Sequence, residues 1–164
     1  MLFLYQAVNP VQATGVQSSM GYLMLFNMNY LQTAVGALNL VEVSLAVLIF
    51  NSLCISSEAS HSELLFVASF TYSVTGFYFF LNGVLNRSSP SARQPTITLV
   101  SQLLLYHSVG GLVFLLGGAY TLAQHLSVPL ALVSGTLAVI DAGIHTSHAV
   151  YIYRGDFRYW LEQV

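Results

Sequence analysis

Apolar residues gather along this chain in four long runs, at about residues 33–55, 64–85, 97–123 and 128–153, with short polar stretches between them. A helix rises 1.5 Å per residue, so each run can cross the roughly 30 Å of a bilayer's hydrocarbon core. The connecting stretches 56–63, 86–96 and 124–127 are rich in Ser, Pro, Arg or His, as loops are. Connections this short set consecutive helices antiparallel as neighbours. The pattern therefore predicts an all-α, integral membrane four-helix bundle. A transmembrane β-barrel needs segments of about ten residues that alternate apolar and polar, and none competes here.

Composition narrows the class further. Only 6% of the 164 residues are charged and 55% are hydrophobic, whereas soluble domains are roughly 25% charged. That excludes a water-exposed globule. With four arginines, no lysine and a formal charge of −2, no basic patch can neutralise phosphates, and nucleic acid is excluded as a partner. Cys54 is the sole cysteine, which rules out an internal disulfide and the four-span families whose outer loops depend on paired cysteines. The opening Met1-Leu2-Phe3-Leu4-Tyr5 has no positive residue, so no cleavable signal peptide is expected and the first span serves as the targeting signal.

Arginine placement gives the orientation. Arg87 and Arg93 lie between the second and third runs, and Arg154 and Arg158 follow the fourth. The positive-inside rule then puts both termini and the middle connection in the cytosol. The Asn86-Arg87-Ser88 triplet matches a glycosylation acceptor, but this topology hides it from the lumen, and it is read as chance. Residues 1–32 form an N-terminal segment. Within it, Met20 to Tyr30 is apolar and aromatic with two asparagines, which favours an interfacial stretch over an early start of the first helix. In the tail, Tyr159 and Trp160 beside two arginines read as an interface anchor. The Arg154-Gly155-Asp156 triplet faces the cytosol, away from any integrin, and Glu162-Gln163-Val164 is at most a weak strand-addition peptide.

A charged side chain in the bilayer core costs about 2.5–3.5 kcal/mol on the insertion scale, so every intramembrane one is a candidate site. The candidates are Glu42, His107, Asp141, His145 and His148. Asp141, His145 and His148 fall at i, i+4 and i+7, on one helical face. Counted from the cytosolic helix ends at 1.5 Å per residue, Glu42 lies roughly 13 Å deep, His107 roughly 15 Å and His145 roughly 12 Å. The same count puts Asp141 roughly 18 Å and His148 roughly 7 Å deep. All five are expected to meet in the inner half of the bundle. Three chemistries suit such a set: a hydrogen-bonded cluster that fixes helix register, a proton relay, or a metal or haem site. The first is preferred, since polar residues commonly hold membrane helices together and His145-x-x-His148 alone is a weak ligand motif. No cofactor is expected, and His107, His145 and His148 stand as the fallback metal ligands.

Small residues make a second pattern. Gly110, Gly111, Gly117 and Gly118 lie in the third run, Ser69, Ser73, Gly76 and Gly83 in the second, and Ser134 and Ala138 extend the ionisable face of the fourth. They let backbones approach where no hydrophobic effect drives association, and packing within the bundle is the expected use. Tyr72 and the aromatics from Phe77 to Phe80 are expected to be lipid-facing or core residues rather than a ligand cage. No nucleophile with a base, and no glycine-rich phosphate loop, marks an enzyme.

Several stretches carry a resemblance. The first run reads Leu38-Asn39-Leu40-Val41-Glu42-Val43-Ser44-Leu45-Ala46, with a glutamate set in a leucine-rich helix. The third reads Leu105-Tyr106-His107-Ser108-Val109-Gly110-Gly111-Leu112-Val113-Phe114, and the fourth passes from Ala138-Val139-Ile140-Asp141-Ala142-Gly143 to Tyr151-Ile152-Tyr153-Arg154. Over residues 33–156 this layout resembles the MARVEL-type four-span membrane proteins, which include the insect snakeskin proteins of smooth septate junctions. The histidines and the long apolar N-terminal segment depart from the family's pattern. The resemblance implies a non-enzymatic scaffold in membrane apposition, cell junctions or vesicle trafficking. On it, Glu42 and Asp141 are packing residues, and the partners are membrane lipids, other integral membrane proteins or further copies of the chain. Plasma or vesicle membrane is the expected location. Two alternatives remain open: an accessory subunit of a large membrane complex, such as a respiratory one in the mitochondrial inner membrane, and a haem- or metal-binding anchor.

Overall fold

The computed structural model describes residues 28–55, 62–85, 97–125 and 127–157. Arg87, Arg93, the Asn86 triplet, the Tyr159 and Trp160 anchor and the C-terminal peptide lie outside the described residues, as does the segment up to residue 27. In chain order the helices are α1 (Met28–Leu31), α2 (Ala34–Ile55), α3 (Glu63–Leu85), α4 (Ile97–Gln124) and α5 (Pro129–Ile152), the last continuing into a π turn at Tyr153–Phe157. The four helices α2 to α5 are long and apolar enough to cross a membrane. Among the described residues there is no strand.

The helix ends follow from local chemistry. Thr33 caps α2: its Oγ1 accepts the Gly36 N–H at 3.0 Å and donates to the Tyr30 carbonyl at 2.7 Å. This cap separates α1 from α2, so the first long helix begins at Ala34 and does not run back through Tyr30. At the other end of the chain, Pro129 opens α5, where its missing N–H costs nothing. The helix does not stop at Tyr153; the π turn carries Arg154 and Gly155 on from it.

The four long helices form a ring in sequence order, each packing on the next, and α5 closes it against α2. Contacts between neighbours show that they are antiparallel. Between α3 and α4, Gly117 lies against Leu65 and Tyr72 meets Tyr106, while Ser62, just before α3, meets Thr121. On α4 and α5, Gly118 lies against Ala138 and Gly111 against Thr146. Phe50 of α2 packs on Phe66 and Phe70 of α3, with ring centroids 5.1 and 5.4 Å apart. Where these helices touch, small residues admit the partner. A Cβ on Gly118 would stand 2.9 Å from Ala138 Cβ, and one on Gly76 would stand 2.8 Å from Val43 Cγ2. Gly83 holds the Tyr30 ring in the same way. Close approach gives the helices dispersion contacts and hydrogen bonds, the forces that hold a bundle wherever its surroundings are as apolar as leucine. Ser134 and Ala138 are fully buried on the inner face of α5.

Candidate functional site

Three helices each aim an ionisable residue at one point inside the ring. Glu42 comes from α2, His107 from α4, and His145 and His148 from α5, and all four are buried. The i, i+3 spacing of the two α5 histidines puts both imidazoles on the inward face. Glu42 Oε1 is the centre of the set. His148 Nδ1 lies 3.0 Å from it, His107 Nδ1 3.3 Å and His145 Nδ1 3.4 Å. His107 Nδ1 and His145 Nδ1 are themselves 3.2 Å apart. Glu42 Oε1 with nitrogens of His107 and His145 makes a group of donors all within 4.8 Å of one another, the one set among the described residues that could hold a metal ion.

Asp141 departs from the expected gathering of five. It is fully buried one turn before His145, yet neither carboxylate oxygen has a hydrogen-bond partner. The Nε2 atoms of His145 and His148 are likewise buried without one. The structure therefore brings together four of the five candidates and leaves the fifth beside them.

Aromatic rings wall the site. Phe114 stacks over His145 at 5.6 Å between centroids with 10° between planes, and Tyr72 meets the same imidazole edge-on at 5.2 Å. Tyr72 and Tyr106 stack at 4.7 Å, and each hydroxyl donates to the other residue's carbonyl, at 3.1 and 3.4 Å. These exchanges tie α3 to α4 directly above the imidazoles. Tyr72 is thus a wall of the site, whereas Phe77 and Tyr78 of the same aromatic run are exposed on the outer surface. Sequence reasoning did not single out Tyr106 or Phe114; their only sequence signal is that they flank His107 at i−1 and i+7.

A cavity of about 690 Å³ reaches the site from the end of the bundle where α2 begins and α3 finishes. Tyr30, Asn39, Asn82 and Gln102 supply its polar lining, and His107 and His148 close it. At its mouth Asn39 Nδ2 donates to the Tyr30 hydroxyl at 2.6 Å. Burial pushes that hydroxyl's pKa up, against the opposing pull of the Asn39 hydrogen bond.

The ring packing bears on a prosthetic group. His107 and His148 are 3.8 Å apart between centroids, and His107 and His145 are 5.4 Å apart. These separations leave no room for a porphyrin held between His107 and either of the other two imidazoles. Comparison with protein-family models, with curated proteins and with solved structures finds nothing that matches this chain.

Proposed function

We propose that this protein is a non-enzymatic four-span membrane scaffold, acting in membrane apposition, cell junctions or vesicle trafficking by lateral association within the bilayer. One observation carries the reading: the division between the inside and outside of the ring. Glu42, His107, Asp141, His145 and His148 are buried, while Leu48, Phe70, Leu112, Leu116, Ile140 and Val150 stand exposed on the outer faces. A chain built this way presents lipids and neighbouring proteins with an apolar side wall. Its close-packing glycines are taken up by its own helices, so partners meet larger aliphatic and aromatic side chains. The likeness of α2, α4 and α5 to MARVEL-type segments supports the same assignment, and plasma or vesicle membrane is the setting that fits it.

Cross-linking in native membranes, followed by purification in mild detergent, tests this. The scaffold reading expects other integral membrane proteins or further copies of the chain, recovered in variable proportion and lost when outward residues such as Leu112 or Leu116 are changed to alanine. Fixed-stoichiometry recovery with the catalytic subunits of one large complex contradicts it and favours an accessory subunit.

A further inference from the structure

We propose that Glu42, His107 and His145 form a binding site for one divalent transition-metal ion, zinc by the chemistry of its donors. This stands apart from the scaffold reading, and either can fail without the other.

With Glu42 ionised and both imidazoles neutral, hydrogen bonding alone does not satisfy these atoms. A neutral imidazole carries one N–H, and its other nitrogen offers a lone pair. His107 Nδ1 and His145 Nδ1 are 3.2 Å apart, and each also lies 3.3–3.4 Å from Glu42 Oε1. If both nitrogens donate to the carboxylate, two N–H groups face each other. If one donates to the other, the acceptor's ring has no proton left at Nδ1 for Glu42, and two lone pairs face each other instead. A cation held between the three atoms removes the conflict, because it can take a lone pair from each.

The triangle also has the right size. Its edges are 3.2, 3.3 and 3.4 Å. Three vertices of a tetrahedron with zinc–ligand bonds near 2.0–2.1 Å are separated by roughly 3.3–3.4 Å. One face of an octahedron with bonds near 2.1 Å has edges of roughly 3.0 Å. Two imidazoles and one carboxylate, with no sulfur, are a known zinc donor set. His148 then takes the outer position, donating from Nδ1 to the liganding oxygen at 3.0 Å and fixing its direction.

Charge and access agree. No lysine or arginine lies within α2 to α5, yet these helices bury two carboxyl groups, Glu42 and Asp141. A divalent ion offsets a buried carboxylate's charge, and buried charges are tolerated when paired or metal-bound. The cavity that ends on His107 and His148 gives an ion a path to the site.

The test uses the full, tag-free chain purified in mild detergent without chelator. Elemental analysis should find stoichiometric zinc. After stripping, cobalt(II) should give the intense visible bands of tetrahedral coordination, and zinc should displace it and raise the thermal unfolding midpoint. His107→Ala and His145→Ala should each abolish the cobalt spectrum and the zinc-induced shift. His148→Ala should weaken zinc by about 10–100-fold, and His125→Ala should change nothing. Circular dichroism and gel filtration report whether each variant folds. Should the single variants fail to fold, the cobalt spectrum and zinc shift of the natural chain still decide the matter. Folded natural protein that takes up neither zinc nor cobalt(II) overturns the proposal, as does an octahedral cobalt spectrum or undiminished metal in His107→Ala.

Discussion

Gly110 of α4 is the floor on which the His145 imidazole rests. A Cβ at position 110 would stand 3.1 Å from His145 Nδ1 and 2.6 Å from the Tyr72 ring. A single methyl group there presses on the α5 imidazole and on its α3 wall together. Gly110→Ala should cost about 1–3 kcal/mol, the usual penalty of overpacking. Gly143 is the control, since a Cβ there meets nothing within 4 Å. Gly143→Ala should fall within about 1 kcal/mol of the natural protein, on the stabilising side, because alanine is the better helix former. Thermal unfolding in detergent compares the two, and equal midpoints contradict the close approach.

Asp141 is fully buried with both oxygens unpartnered. Replacing an unsatisfied buried carboxyl by a small apolar group removes a desolvation cost, whereas a lysine adds a charge with a longer side chain in the same place. Asp141→Ala should fold within about 1 kcal/mol of the natural chain, and Asp141→Lys should lose about 3 kcal/mol or more. Expression level and unfolding midpoint are the readouts. Similar values for the two variants contradict burial at this position.

At the opposite end of the bundle, Thr121 Oγ1 donates to Ser62 Oγ at 3.2 Å, with both residues buried. Interhelical hydrogen bonds in membrane proteins average about 0.6 kcal/mol and reach about 1.7. Thr121→Val keeps the shape and deletes the donor, so a loss in that range is expected. A double-mutant cycle with Ser62→Ala measures it, and zero coupling contradicts the contact.

The arginine count makes a prediction of topology. In a Cys54→Ala background, Ser57→Cys in the first connection should react with an impermeant maleimide on intact cells or right-side-out vesicles. Arg154→Cys, after the fourth span, should react only once the membrane is permeabilised. The reverse pattern inverts the orientation.

Length and hydropathy made the four spans legible, and each helix begins and ends within a residue of the apolar run that announces it. The i, i+4, i+7 spacing also placed Asp141, His145 and His148 on one face before any coordinates. Rotation about the helix axes was not legible. Apolar residues ring each span almost evenly, so nothing in the sequence says which side of α2 or α4 turns inward, or that three Nδ1 atoms converge on a single Glu42 oxygen. The run from Tyr72 to Phe80 illustrates the difficulty: Tyr72 walls the site while Phe77 and Tyr78, five and six residues on, face outward. The separate start of α2 was expected from the asparagines before it, and the cap that makes the break is Thr33 with Gly36.

The central claim is that one carboxylate gathers three imidazoles inside a single bundle. Nitrogen-15 NMR of the histidine side chains, before and after Glu42→Gln, tests it most directly. The chain has five histidines, and the account predicts that His107, His145 and His148 shift together while His61 and His125 stay in place. Movement of one imidazole alone, or of none, contradicts it.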